Sequence, residues 1–346
     1  MKALNCAGES RTARNRSVFR LQMQHWSCNT LQERCDSSES DPKKEIPIDI
    51  PPGCVFDKVM DIKLVAYTSI NRVLSAFGMC LNPIVLDFKK YPLNETIQNA
   101  LFREFAVCAD EWLRRQDCFQ PVSFDVEATV REFFFSYLES PFRVPVGGSR
   151  FNNLLWLSLL ARAFDPAVII ESGTFKGGSS WALKFGAPNA EVWSFDIVHS
   201  QIKLRTPGVQ YRKQDWSTFD FGERLGKRAL AYFDDHMDQA RRLLEAHERN
   251  IPLAIFDDDC PVVPALLRAR RGMTFPKIEF VLNEELRREK EIVWKSGSRT
   301  LRWSVDAGYL DRARQVIAVT ERLPDTSLMT GIHQAPYRVV KIKPHS

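Results

Sequence analysis

Between Val168 and Trp181 the chain reads V-I-I-E-S-G-T-F-K-G-G-S-S-W. An apolar run closes on Glu171, glycines follow at 173, 177 and 178, and Ser179 and Ser180 open a helix. Glycine tolerates positive φ and lets a ligand lie against the backbone with no Cβ in the way, while a helix start offers unpaired N–H groups. Three glycines and two small hydroxyls exceed what turning a chain requires, so the segment reads as a ligand cradle at the end of a strand. Acidic residues close the later apolar runs as well: Asp196 after V-W-S-F, Gln214-Asp215-Trp216 after Val209–Arg212, Asp234 and Asp235 after Ala229–Phe233, and Asp257, Asp258 and Asp259 after Leu253–Phe256.

Spacing narrows the ligand. The dinucleotide fingerprint G-x-G-x-x-G is absent because the order here is G-x-x-x-G-G, and the phosphate loop fails because Lys176 precedes the paired glycines. The segment resembles the first motif of the class I S-adenosylmethionine-dependent methyltransferases, in which an acidic residue ends strand one and a loop E-x-G-x-x-x-G-x-S wraps the methionine part of the cofactor. That resemblance implies S-adenosylmethionine as cofactor, with Glu171, Gly173, Thr174, Gly177 and Ser179 around its amino-acid end. A carboxylate and backbone groups suit ammonium and sulfonium charges better than a pyrophosphate.

Asp196 fits the same reading, since an acidic side chain at a strand terminus one βαβ unit after the glycine loop can accept both ribose hydroxyls. Asp215 is placed to bond the adenine amine and Trp216 to stack on its ring; an Asp-capped turn with a packed Trp is the alternative.

The ends of the fourth and fifth runs bring Asp234 or Asp235 and Asp257 or Asp258 to one sheet edge. Carboxylates gathered in this way repel unless a cation lies between them, and an all-oxygen set suits Mg²⁺; helix caps and solvated loop acids are the simpler reading. His236, inside the first cluster, is able to take a hydroxyl proton near pH 7. These ends resemble the metal-dependent macrolide-sugar O-methyltransferases and the cephalosporin-hydroxylase-like proteins, whose fourth strand ends in Asp-Gly-x-His and whose fifth ends in a paired acid. The resemblance implies Asp234, Asp257 and Asp258 as metal ligands and Asp234 and His236 as catalytic residues. It departs at Asp235, which stands where the family has glycine, and there is one residue fewer before His236.

The elements that must position these groups are short apolar runs alternating with helical segments: Ala167–Ile170, Glu191–Phe195, Val209–Arg212, Ala229–Phe233, Leu253–Phe256, Ile278–Leu282, Val316–Thr320 and Tyr337–Ile342. Such alternation is the sequence form of βαβ units around a buried parallel sheet. The expected fold is α/β: a Rossmann-like three-layer sandwich, a mostly parallel seven-stranded sheet with a terminal antiparallel strand, and an N-terminal helical extension. Helix starts are expected at Asn94-Glu95 and Asp125–Glu127, and a further helix over Asn152–Phe164. The domains are read as a disordered tail and linker over 1–55, a helical layer over 56–150 and the methyltransferase-like domain over 151–346.

The 346 residues carry 48 Lys and Arg against 43 Asp and Glu, a balance too even for the concentrated basic face that phosphate neutralisation requires. No nucleic acid is expected as partner, and no membrane, since the longest apolar stretch, Asn152–Ala161, falls short of a span. Eight cysteines without a CxxC pair indicate neither a zinc knuckle nor a disulfide framework. The expected setting is cytoplasmic, the expected partner a small-molecule or saccharide acceptor, with room for a homo-oligomer. Two other readings stay open: an oxidative or hydrolytic enzyme using the same carboxylates, and a non-catalytic cofactor-binding protein.

Overall fold

A computed structural model describes residues 94–143, 148–226, 228–268, 275–296 and 299–345. The expected tail and the expected helical run over 56–93 lie outside the described residues.

Asn94 and Asp125 cap the first two helices, α1 (Glu95–Arg114) and α2 (Val126–Glu139), through side-chain oxygens that accept N–H groups of the first turn. Helix α3 (Phe151–Phe164) ends at Asp165, in the left-handed conformation, and leads into β1 (Val168–Ser172). Then follow α4 (Gly178–Gly186), β2 (Glu191–Phe195), β3 (Val209–Arg212), β4 (Ala229–Phe233), α5 (Gln239–Glu248) and β5 (Leu253–Phe256). After β5 come α6 (Val262–Arg268), α7 (Ile278–Leu282), α8 (Glu284–Arg288), β6 (Glu291–Ser296), β7 (Arg299–Ser304), α9 (Ala307–Gln315), β8 (Ile317–Arg322), α10 (Ser327–Thr330) and β9 (Arg338–Ile342).

Seven strands form one sheet in the order β3-β2-β1-β4-β5-β9-β8. Strands β1 to β5 are parallel, and β9 enters antiparallel between β5 and β8. Strands β6 and β7 pair as a separate hairpin that carries Trp294, Lys295, Arg299, Arg302 and Trp303. The sheet is the Rossmann-like one expected, with one correction: Ile278–Leu282, expected as a strand, is α7. A five-residue segment with four apolar positions has no period long enough to separate strand from helix. Here Ile278 and Val281, three apart, enter one core cluster while Phe280 enters another.

Period-two alternation assigns each strand residue to a layer. Ile169, Val192, Leu230, Tyr232 and Ile255 meet α1 to α4 on one face; Ile170, Trp193, Ala231, Phe233 and Ala254 meet α5, α7 and α9 on the other. Aromatic contacts tie α1 and α2 into the first layer: Phe105 and Trp112 lie against Trp156 of α3, and Phe133 against Phe151 and Trp181. Each such ring contributes about 1.5–3 kcal/mol when fully buried.

Helices α3 and α4 touch so closely that a Cβ on Gly186 would stand 2.1 Å from the Ser158 carbonyl oxygen. Gly186→Ala is expected to force these helices apart and to cost about 3 kcal/mol, the upper range of overpacking. Denaturant melts check it; a loss under 1 kcal/mol would mean that the pair slides freely. Among the described residues, no helix is long and apolar enough to cross a membrane.

Candidate functional site

Reversal of strand order between β1 and β4 opens a crevice at the carboxyl edge of the sheet, the place where open α/β sheets bind ligands. A cleft of about 670 Å³ occupies it. Its walls come from the loops after β1, β2, β3, β4 and β5, the N-terminal end of α3, and the segment before β9.

The glycine turn forms one wall. Gly173 has φ +104°, and a Cβ there would stand 2.5 Å from the carbonyl of Asp234. The glycine therefore serves backbone packing between the β1 and β4 loops as well as access from the cleft. Phe175, at φ +44°, is a bulky residue in the left-handed region, a strain of the kind that concentrates at binding sites.

Glu171 sits elsewhere than a ligand contact would require. It shares the strand face of Ile169, and there its Oε2 accepts hydrogen bonds from the Ser180 and Ser194 hydroxyls. It is wholly buried and does not line the cleft. Burial pushes its pKa up, against the serine hydroxyls around it, which favour the charged form. Thr174 bonds Ser194 in the same buried group, and Ser179 is buried beside it. Glu171, Thr174, Gly177 and Ser179 thus stand behind the loop, which Gly173 and Phe175 present to the cleft.

Asp196 lines the cleft at the end of β2. One oxygen accepts the Phe175 N–H at 2.9 Å and the other the Val198 N–H at 2.8 Å, so the carboxylate fixes the glycine loop. A carboxylate has about four acceptor sites, which leaves two for a ligand.

Asp215 also borders the cleft, but its oxygens are engaged by Arg242, at 3.0 and 2.7 Å, and by the Ser217 N–H. Trp216 corrects the expectation of a stacking platform: it is fully buried, packed on Phe233 and Phe221 with the Arg249 guanidinium 5.0 Å from its ring. The alternative reading, an Asp-capped turn with a packed Trp, describes this place.

Asp234, His236, Asp257 and Asp258 all line the cleft on the other side of Gly173. His236 Nδ1 lies 3.9 Å from an oxygen of Asp234 and 3.9 Å from one of Asp258. Both His236 and Asp258 have positive φ. Burial, with the charges of Asp257 and Asp258, pushes the Asp234 pKa well above the carboxylate range. Burial, with Asp258, raises Asp257 to about 7. Asp257 Oδ2 accepts the Tyr232 hydroxyl at 3.0 Å and Oδ1 accepts the Asp258 N–H at 2.6 Å.

Three carboxylates have the donor chemistry of a hard divalent cation, but their arrangement does not match it. Asp257 accepts one hydrogen bond at each oxygen, and among the described residues no group of three or more His, Cys, Asp or Glu is arranged to hold a metal ion.

Sequence reasoning missed Arg242, whose side chain is 2 % exposed and meets Asp215, Asp235 and Glu245 beneath the cleft. It also missed Arg150, Asn153 and His333, which line the cleft from α3 and from the segment before β9. One signal was available for Arg242: Gln239, Arg242, Leu243 and Ala246 have the spacing of a buried helical stripe, and all four are core-facing.

No protein-family model and no curated protein sequence matches the chain. Solved structures similar to it include the O-methyltransferase TomG from Streptomyces achromogenes, involved in tomaymycin synthesis and in complex with SAM, at 14% identity over 62% of this chain and 89% of that one, TM-score 0.35. They include an O-methyltransferase from Bacillus cereus in complex with SAH, at 12% identity over 62% of this chain and 91% of that one, TM-score 0.31. A third is the SAH-bound methyltransferase PaMTH1 from Podospora anserina, at 14% identity over 73% of this chain and 97% of that one, TM-score 0.31. At such identities and TM-scores the likeness carries no argument about chemistry, and the fold is read from the strand order itself.

Proposed function

We propose that the chain transfers a methyl group from S-adenosylmethionine to a hydroxyl of a small-molecule or saccharide acceptor. One observation carries the reading: a single cleft at the β1/β4 switch point joins a glycine loop clamped by Asp196 to a second wall bearing Asp234, His236, Asp257 and Asp258. The first wall offers backbone and a carboxylate to a cationic cofactor; the second offers proton acceptors to a hydroxyl.

The sulfonium of the cofactor makes its methyl carbon electrophilic, so the protein has chiefly to place the acceptor oxygen in line and remove its proton. His236 reaches into the cleft within 3.9 Å of Asp234 and Asp258, where its imidazole can meet an acceptor hydroxyl and take the proton. Tyr232 and Tyr337, whose hydroxyls bond each other at 2.9 Å, hold Asp257 in position. No step is routed through a metal, because among the described residues no group of three or more His, Cys, Asp or Glu is arranged to hold one.

S-adenosylhomocysteine at a hundred times its Kd is expected to stabilise the protein by about 2.7 kcal/mol, read as a rise in melting temperature. Label from methyl-labelled S-adenosylmethionine is expected in acceptors bearing hydroxyls. A protein that neither binds S-adenosylhomocysteine nor shifts its melting temperature would sink the reading. Binding without turnover across a broad panel of hydroxylated acceptors would favour a cofactor-binding protein instead.

A further inference from the structure

Arg150 precedes the first turn of α3 and lines the cleft beside Gly148 and Ser149. Its Nη1 is buried and has no hydrogen-bond partner among the described residues. A buried guanidinium nitrogen without an acceptor is costly, and native structures rarely leave one so without a reason. The cleft's other arginine, Arg242, is already saturated by Asp215, Asp235 and Glu245.

The remaining charge of the lining is acidic, with Asp196, Asp234, Asp257 and Asp258 facing the same space. A ligand that complements these walls is mainly cationic and carries a single anionic end, to be met by Arg150. S-adenosylmethionine has that pattern: an ammonium, a sulfonium and one carboxylate. Position agrees with charge, since the chain next to Arg150 touches the glycine turn. A Cβ on Gly148 would stand 3.3 Å from the Phe175 ring, and the Phe175 N–H is the one that Asp196 holds.

We propose that Arg150 is the cleft's carboxylate receptor, taking the carboxylate at the amino-acid end of the cofactor through paired N–H···O bonds. The proposal rests on the methyltransferase reading and adds to it the group that orients the cofactor's amino-acid end. With the carboxylate anchored at α3 and the ribose at Asp196, the sulfonium between them faces the wall of His236.

Calorimetry with two probes tests it: S-adenosylhomocysteine, and 5′-methylthioadenosine, which keeps the adenine, ribose and sulfur but lacks the amino-acid end. Arg150→Met is expected to weaken S-adenosylhomocysteine by about tenfold or more, the scale of a lost charge-assisted pair. Its affinity for 5′-methylthioadenosine is expected to stay within about twofold of the wild type. Arg150→Lys, which keeps the charge but loses the fork, should fall between. Without ligand, Arg150→Met should melt no lower than the wild type, because Nη1 has no partner among the described residues to lose.

Equal weakening of both probes would overturn the proposal, and so would unchanged binding of S-adenosylhomocysteine; the latter leaves the guanidinium for an anion on the acceptor. A wild-type protein that binds neither probe overturns the methyltransferase reading, and this proposal with it.

Discussion

His236→Asn is expected to lower methyl transfer by about a hundredfold or more, the usual contribution of a general base, while the Kd for S-adenosylhomocysteine stays within about twofold. The imidazole projects into the cleft on the β4 side, and the turn at Gly173 separates it from Asp196. Asn is the variant of choice because His236 has φ +57°, a conformation Asn tolerates and Ala resists. With the backbone kept in place, lost rate reports lost chemistry. The side chain is 52% exposed, so imidazole added to the buffer has access to the vacated space and should restore part of the rate. A merely structural histidine would show no such rescue. Full activity in His236→Asn would remove the base from this residue and leave proton removal to Asp234 or Asp258.

Much of this arrangement was legible in the chain because buried parallel strands are apolar on both faces. Val168–Ser172, Ala229–Phe233 and Leu253–Phe256 therefore stand out from the amphipathic helices between them. The acids that end those runs then had only one edge to occupy, and Asp196, Asp234, Asp257 and Asp258 meet at one cleft for that topological reason. Glu171 was harder to place. Which face a strand-end side chain takes depends on parity, and Glu171 takes the face of Ile169, where Ser180 and Ser194 wait, rather than the cleft. Trp216 was ambiguous because an indole beside a ligand and an indole in a core have the same local sequence; only the packing of Phe221 and Phe233 decides. Arg150 left no trace at all, since a single arginine before a helix is commonplace until the helix is seen to start at the cleft.

The largest effect on stability is expected from Arg242→Met. Arg242 draws together the ends of β3 and β4 and its own helix: Asp215 bidentately, Asp235 through Nε at 2.7 Å, and Glu245 at 2.7 Å. Ser172 at the end of β1 completes the group by donating to Asp235 at 2.7 Å. Methionine keeps most of the volume but strips Asp215 and Asp235 of their cation, while Glu245 keeps its pairing with Arg241. Removing one partner from such a buried network costs about 3–5 kcal/mol. In a domain of this size that lowers the melting temperature by roughly 10 °C. The effect has a pH signature. Burial alone would raise the Asp215 pKa, but the hydrogen bonds and charge of Arg242, with the Ser217 N–H, overcome it and hold the carboxyl well below its usual range. A depressed folded pKa stabilises fully above the unfolded value, near 3.8, and is lost as pH falls through the folded one. The gap between wild type and Arg242→Met should therefore be full at pH 7 and narrow once the pH drops below about 4, where the stranded carboxylates are neutralised. Because Asp215 and Asp235 border the cleft from the two loops that Arg242 joins, affinity for S-adenosylhomocysteine should fall with stability. Adding Asp215→Asn to the variant should recover part of both, since one of the repelling charges is then gone. Melts of the single and double variants across pH check this, and a single variant within a degree of wild type at pH 7 would show that backbone packing alone holds the loops together.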